Sequence, residues 1–314
     1  MLLQQSLLLT LLASSSSAAV RVVAVGDLHG DVSATITTLC KAGLVSSKAP
    51  HHWIGGETTL LQLGDVLDRG YEEAEVLDLL RSLRKEARAA GGDVISLLGN
   101  HEILNVCGQA MNFIHPDAIE SFGPDRVEAF KPGGALAREL AECPVVAIID
   151  DTAYVHAALP PGPAGWPSPP TRESIRELNA AAKSWLLGER SATGTPKLLQ
   201  PDHHSPVWNR AMSSPSDVEP ASHHCDTLRK ALGSLGVKRL VVGHTPQDRI
   251  NCACGGAVWR CDTGMSAFVM EGVCEALEVA DGVARVLGRN EGEPCTEEEC
   301  MAESLSLDYD AFFN

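Results

Sequence analysis

Positive charge is scarce in this chain. Its 25 Lys and Arg residues stand against 41 Asp and Glu, a formal net charge of −16. So acidic a surface argues against DNA or RNA as the main partner, because nucleic-acid affinity comes largely from neutralising phosphates with Lys and Arg. Nothing before Arg21 is basic, which argues against an Arg-rich organellar transit peptide. Zinc-ribbon spacing is missing too: the ten cysteines form no CxxC…CxxC pattern, and "CAC" at 252–254 is a weak ligand pair. There is no internal repeat, and no apolar run approaches membrane-spanning length.

What is present looks like an ordinary folded protein. The 314 residues are 44% hydrophobic and 21% charged, enough for one large domain or two small ones. Residues 1–19, "MLLQQSLLLTLLASSSSAA", read as a secretory signal peptide. An apolar stretch from Leu7 to Leu12 precedes small residues that permit cleavage after Ala18 or Ala19. The expected location is the secretory pathway or the cell exterior, with organelle targeting as the alternative. An even cysteine count behind such a leader favours disulfides. Cys252, Cys254, Cys261 and Cys274 crowd together, so a bridge is expected among them, with buried free thiols as the alternative.

Short apolar runs at 21–25, 59–63, 94–98, 145–149, 153–155, 239–242 and 257–260 read as buried strands. Between the first three lie segments of helical period: Val32, Ile36 and Leu39 share one face, and Val76, Leu77, Leu80, Leu83 and Ala87 another. Strand, helix, strand, helix, strand is the order of an α/β fold with helices covering its sheet. Residues 160–170, "PPGPAGWPSPP", read as a loop, 191–224 as mostly irregular, and 291–314 as a solvated acidic tail.

Five of the strands end in the same manner. After Val25 comes "GDLHGD", with Asp27 and His29; after Leu63 comes "GDVLDRG", with Asp65, Asp68 and Arg69. After Leu98 comes "GNHE", with Asn100, His101 and Glu102; His156 follows Val155 and His244 follows Val242–Gly243. In open α/β sheets, ligands bind outside the carboxyl ends of the strands. One such junction is a turn or a helix cap; five together imply a shared site. Carboxylate, amide oxygen and neutral imidazole suit hard or borderline divalent cations. Three oxygen-bearing side chains and three histidines are too many for one ion and suit two. A cation pair sharing a carboxylate clamps both oxygens of a phosphoryl displacement and lowers the pKa of water. By formal charge, about +4 from the cations less two aspartates and a hydroxide leaves roughly +1, and Arg69 adds another. A phosphate can therefore be attracted despite the acidic surface.

The five motifs, in this order, resemble the phosphoprotein phosphatase branch of the calcineurin-like metallophosphoesterases, over about residues 20–287. "GDVLDRG", "SPVWNR", "VVGHTPQ" and "VWRCDTGMS" resemble the Shewanella-like phosphatase subgroup. The resemblance implies a sandwich of mixed β-sheets flanked by helices within one catalytic domain (20–290), and a dinuclear metal site at the strand ends. It implies Asp27 and His29 as ligands of one metal, Asp65 as the bridge, and Asn100, His156 and His244 as ligands of the other. It implies His101 as the general acid with Asp68 as its partner, and Arg69 as a phosphate clamp; Arg210 in "SPVWNR" is chosen as the second clamp. The implied reaction is direct attack of a metal-bridging hydroxide on a phosphoserine, phosphothreonine or phosphotyrosine ester of a protein substrate, without a phosphoenzyme. Manganese is the expected ion, with iron or zinc as alternatives. The rivals are a dinucleoside polyphosphate hydrolase and a nuclease of the same fold, and, outside the enzymes, a non-catalytic phosphate-binding protein.

Two departures from the family stand out. It usually has glycines after the third metal-ligand histidine, whereas this chain has "HAAL"; if that turn needs positive φ, Ala157 or Ala158 carries strain. No C-terminal match to the tyrosine and toxin-binding loop of the animal enzymes is found, so insensitivity to okadaic-acid-type inhibitors is expected. The pairs His51–His52, His203–His204 and His223–His224 are expected to be solvated, not ligands.

Overall fold

Ten strands among the described residues make two five-stranded sheets, each mixing parallel and antiparallel pairs. The computed structural model describes residues 20–289 apart from 120–121, 124, 163–165 and 190–193; the expected leader and acidic tail lie outside the described residues. In chain order the strands are β1 (Val22–Val25), β2 (Thr59–Gln62), β3 (Asp93–Ser96), β4 (Val146–Ile149), β5 (Thr152–Val155), β6 (Arg239–Val242), β7 (Asn251–Ala253), β8 (Val258–Arg260), β9 (Ala276–Ala280) and β10 (Val283–Leu287). The helices are α1 (Val32–Lys41), α2 (Glu73–Ala89), α3 (Asn100–Val106), α4 (Arg126–Phe130), α5 (Ala135–Leu140), α6 (Arg172–Leu186) and α7 (Ser222–Leu235).

The first sheet runs β10-β9-β1-β2-β3 and the second β4-β5-β6-β8-β7. Parallel pairing joins β1, β2 and β3 in one and β5, β6 and β8 in the other. Period-two alternation explains the sandwich. Val22 and Ala24 face the core between the sheets, with Leu61, Tyr154, Val241, Trp259 and Leu277. Val23 and Val25 face outward onto α1 and α2, packing with Leu39, Val76, Leu80 and Leu83. The outer face of the second sheet is covered by α5, α6 and α7 through Leu140, Ile175, Trp185, Leu228 and Leu232. Because both sheet faces are covered, the strands read as continuous apolar runs. No helix among the described residues is long and apolar enough to cross a membrane.

The one disulfide among the described residues joins Cys225 of α7 to Cys254. It takes one member of the expected cysteine cluster but pairs it outside that cluster. Cys254 has positive φ just past β7, which turns it onto the α7 side of the sheet. Cys252 stays between the sheets. Cys274 is a free thiol.

Candidate dinuclear metal site and active site

All six parallel strands point their carboxyl ends at one rim. β1 delivers Asp27 and His29, β2 delivers Asp65, β3 leads to Asn100 and His101, β5 to His156 and β6 to His244. Two sets of potential ligands meet there, His29–Asp65–His101 and Asp65–His156–His244, each with ligand atoms within 4.8 Å of one another. Asp65 belongs to both. Its Oδ2 lies 3.3 Å from His156 Nε2 and 3.8 Å from His29 Nε2. His156 Nε2 is also 2.9 Å from Asn100 Oδ1 and 3.1 Å from His244 Nδ1. Donors around one cation at metal–ligand distances near 2.1 Å stand roughly 3.0–3.5 Å apart, so these four converge as a coordination shell does. Asp27 Oδ2 approaches His29 Nε2 at 4.0 Å, while its Oδ1 accepts the His244 backbone N–H.

The rings are oriented from outside. His29 Nδ1 lies 2.9 Å from Leu67 O, His156 Nδ1 2.8 Å from Leu63 O, and His244 Nε2 3.2 Å from Trp208 O. An imidazole that donates its outer N–H to a carbonyl presents a lone pair inward, as metal-bound histidines do. Burial pushes His29 down to about 4, and burial with His156 and Arg210 nearby holds His244 well below the usual range. Both are neutral at pH 7. Burial would lower His156 too, but the charge and hydrogen bond of Asp65 outweigh it.

His101 is built differently. Its Nδ1 lies 2.6 Å from Asp68 Oδ2, and both side chains are buried. Burial opposes its charge, yet Asp65 and then Asp68 raise its pKa. A carboxylate partner suits a ring that holds and gives up a proton.

The backbone here is bent to fit. Ten non-glycine residues have positive φ among those described, and five are His29, Asp65, Asp68, Arg69 and His244. Conformations of this kind cost about 1–3 kcal/mol each and persist where surrounding structure enforces them. Gly99 shows why small residues precede the ligands: a Cβ there would sit 2.2 Å from Asp65 Oδ1. Ala157 and Ala158 are not among the positive-φ residues; both are buried, and their N–H groups share Pro206 O. The "HAAL" turn is therefore accommodated without that strain.

Arg69 is exposed at the rim, its guanidinium 4.9 Å from the Phe113 ring centre and its N–H donating to Phe113 O. Arg210 is anchored by Nη1 to His244 O (2.9 Å) and Thr245 Oγ1 (2.7 Å). Both arginines thus stand beside the ligand cluster. Tyr71, His115 and Phe268 make an aromatic group with ring centres 5.2–5.9 Å apart. Asp31, the second aspartate of "GDLHGD", caps α1 through Ala34 N and is not a ligand. His203 and His204 lie tilted against each other beside Asp202, the first exposed and the second half-buried, and the three bring ligand atoms within 4.8 Å of one another at the surface.

Sequence reasoning assigned no role to two buried acids at this site. Asp262 follows β8 as Asp27 follows β1, and stands close enough to Asp27 to raise its pKa after burial does. Asp262 is itself pushed up to about 6, chiefly by burial. The strand–carboxylate junction that exposed the other five was present in "VWRCD" as well. Glu102 lies behind the site and accepts backbone N–H groups from both Asp65 and Gly99.

Comparison with known proteins agrees with this geometry. The family model described as calcineurin-like phosphoesterase matches residues 20–248. Shewanella-like protein phosphatase 2 of Arabidopsis thaliana is 31% identical over 320 residues, covering 86% of this chain and 78% of the relative. Shewanella-like protein phosphatase 1 of Plasmodium berghei is 30% identical over 266 residues, covering 80% and 69%. The crystal structure of a cold-active protein-tyrosine phosphatase from a psychrophilic Shewanella superposes with a TM-score of 0.68 at 25% identity, covering 85% and 77%. The chain belongs to the calcineurin-like phosphoesterases, and it is a metallophosphoesterase of the Shewanella-like protein-phosphatase type.

Proposed function

We propose that the protein is a phosphoprotein phosphatase that hydrolyses phosphomonoesters with two divalent cations, manganese or alternatively iron or zinc. One observation carries this reading: three histidines turn one ring nitrogen outward to backbone carbonyls and the other inward to the group around Asp65, while a fourth, His101, is paired with a carboxylate. That is a ligand set and a proton donor side by side. Asp27, His29 and Asp65 would hold one cation, and Asp65, Asn100, His156 and His244 the other. When bound, the cations would supply positive charge at the phosphate and make water a nucleophile at neutral pH.

The chain's own groups do the rest. Arg69, steadied by Phe113, grips two phosphate oxygens as a fork, and Arg210 is placed to take a third. His101 gives its proton to the leaving oxygen while Asp68 fixes the ring. The relatives named above support a protein substrate, and the Shewanella structure favours including phosphotyrosine among its esters. A phenolate leaves more easily than a serine alkoxide. His101→Ala is therefore expected to slow phosphoserine turnover much more than phosphotyrosine turnover, and equal losses would remove His101 as the donor. Rates on phosphopeptides and on diadenosine tetraphosphate, measured side by side, test the substrate class; a clear preference for the dinucleotide overturns it.

A further inference from the structure

We infer that Arg126 and Asn105 are positioning residues for the proton donor, acting through Asp68; this rests on the reading of His101 as general acid. The evidence is a closed, buried hydrogen-bond ring. Asp68 uses Oδ2 for His101, and its Oδ1 accepts from Asn105 Nδ2 at 2.9 Å. Asn105 Nδ2 also donates to His101 O at 3.0 Å. The Asn105 carbonyl, Oδ1, accepts from Arg126 Nη2 at 2.9 Å. Arg126 then grips Glu73 with both Nη1 and Nη2, and Glu73 Oε1 accepts the Asp68 backbone N–H at 2.6 Å. Arg126 thus pairs with Asp68 directly, Nη2 to Oδ1 at 3.7 Å, and reaches it by two hydrogen-bonded routes, to its side chain through Asn105 and to its backbone through Glu73.

The second route matters because Asp68 sits at φ 68, a conformation it would not hold unaided. Arg126 is itself fixed, with its guanidinium about 5 Å from the ring centres of Phe122 and Phe130 and its side chain 6% exposed. Charge requires it as well. Asp68 and Glu73 are two fully buried carboxylates joined through one residue's backbone, and Arg126 is the permanent cation between them. Removing it leaves a buried, unpaired Glu73 beside Asp68. Arg126 contacts Asp68, Glu73, Asn105, Ala118 and the rings of Phe122 and Phe130, none of them a proposed metal ligand or phosphate clamp, so its effect on catalysis is expected to pass through Asp68 and His101.

The leaving group supplies the test, because only poor leaving groups need the donor. With the metal-loaded protein, kcat is measured on a phosphoserine peptide and on p-nitrophenyl phosphate. The variants are Arg126→Met, Asn105→Ala and His101→Asn, alone and combined. Asn105→Ala keeps the Glu73–Arg126 pair and guards against a misfolded Arg126 variant. A general acid contributes about 10²–10⁴-fold. Arg126→Met and Asn105→Ala are each expected to lower phosphoserine kcat by about 10–100-fold. The loss on p-nitrophenyl phosphate is expected to be several-fold smaller, and neither change should cost more in the His101→Asn background. Equal losses on both substrates, or full additivity with His101→Asn, overturn the inference alone. If His101→Asn itself shows no leaving-group dependence, the general-acid reading fails and takes the inference with it.

Discussion

Glu102 holds Asp65 from behind. One carboxylate oxygen accepts the N–H of Asp65 at 2.9 Å and of Gly99 at 2.8 Å; the other accepts Val66 at 2.9 Å and Leu67 at 3.3 Å. Asp65 is the residue common to both candidate ligand groups, and Glu102 grips its N–H where its φ is positive. In Glu102→Gln the shape is kept, but an NH₂ group meets backbone donors that have no other acceptor. Each buried donor left unsatisfied costs about 1–3 kcal/mol. Loss of such an outer partner typically weakens metal binding about 10–100-fold. The expected result is a lower Tm together with weaker metal affinity by calorimetry. A normal Tm with normal affinity would show that the grip is dispensable.

Asp262 and Asp27 crowd two buried acids together, a negative charge that a bound cation would offset. Burial raises the folded-state pKa of Asp262 to about 6, above its ordinary value of 3.8. Its contribution to stability is therefore fully present below about pH 4 and lost as pH rises through about 6. At pH 7.5 the ionised group destabilises the metal-free fold. Asp262→Asn is expected to raise the Tm of the metal-free protein at pH 7.5, by an amount that shrinks toward pH 5, and to lower metal affinity. A metal-free variant no more stable than the parent at pH 7.5 would contradict the crowding.

Much of this was legible in the sequence because strand ends advertise themselves. The seven expected strands all appear, within two residues at each end, and Asp27, His29, Asp65, Asn100, His101, His156 and His244 follow them at one rim. Less visible was β9–β10, although the Asp281–Gly282 pair, both with positive φ, is a strong hairpin signal. Least legible was the layer behind the ligands, of which only Glu102 stood in a strand-end motif. Glu102, Asn105, Glu73 and Arg126 lie in helices or their first turns, where a polar residue reads as a solvated face. Only tertiary packing shows them buried and bonded to backbone that the motifs had already placed.

Arg69 is expected to act on binding more than on the chemical step. Its fork can make charge-assisted hydrogen bonds, worth about 1.5–3 kcal/mol. Arg69→Ala should raise KM for phosphopeptide and Ki for inorganic phosphate together, by roughly 10–150-fold. Phe113→Ala removes the stacked ring and should give a smaller rise of the same kind, since an exposed cation–π contact is worth about 0.5–1 kcal/mol. A fall in kcat with KM unchanged would mean that Arg69 meets only the transition state.

Metal stoichiometry separates ligands from the proton donor without recourse to activity. All six proposed ligands are buried, and four of them, His29, Asp65, His156 and His244, bring their ligand atoms within 4.8 Å of one another in two groups that share Asp65. A bound ion stabilises the fold by RT ln(1 + [L]/Kd), about 2.7 kcal/mol at a hundredfold excess over Kd. Chelation should therefore lower Tm by several degrees, and added manganese should restore it. By elemental analysis of manganese-loaded protein, the parent should carry two ions and His101→Asn should keep both. His156→Ala should lose at least one, because its Nε2 stands among Asn100, His244 and Asp65. If His101→Asn loses an ion while His156→Ala keeps two, the roles are exchanged, and His101 belongs with His29 and Asp65 as a ligand.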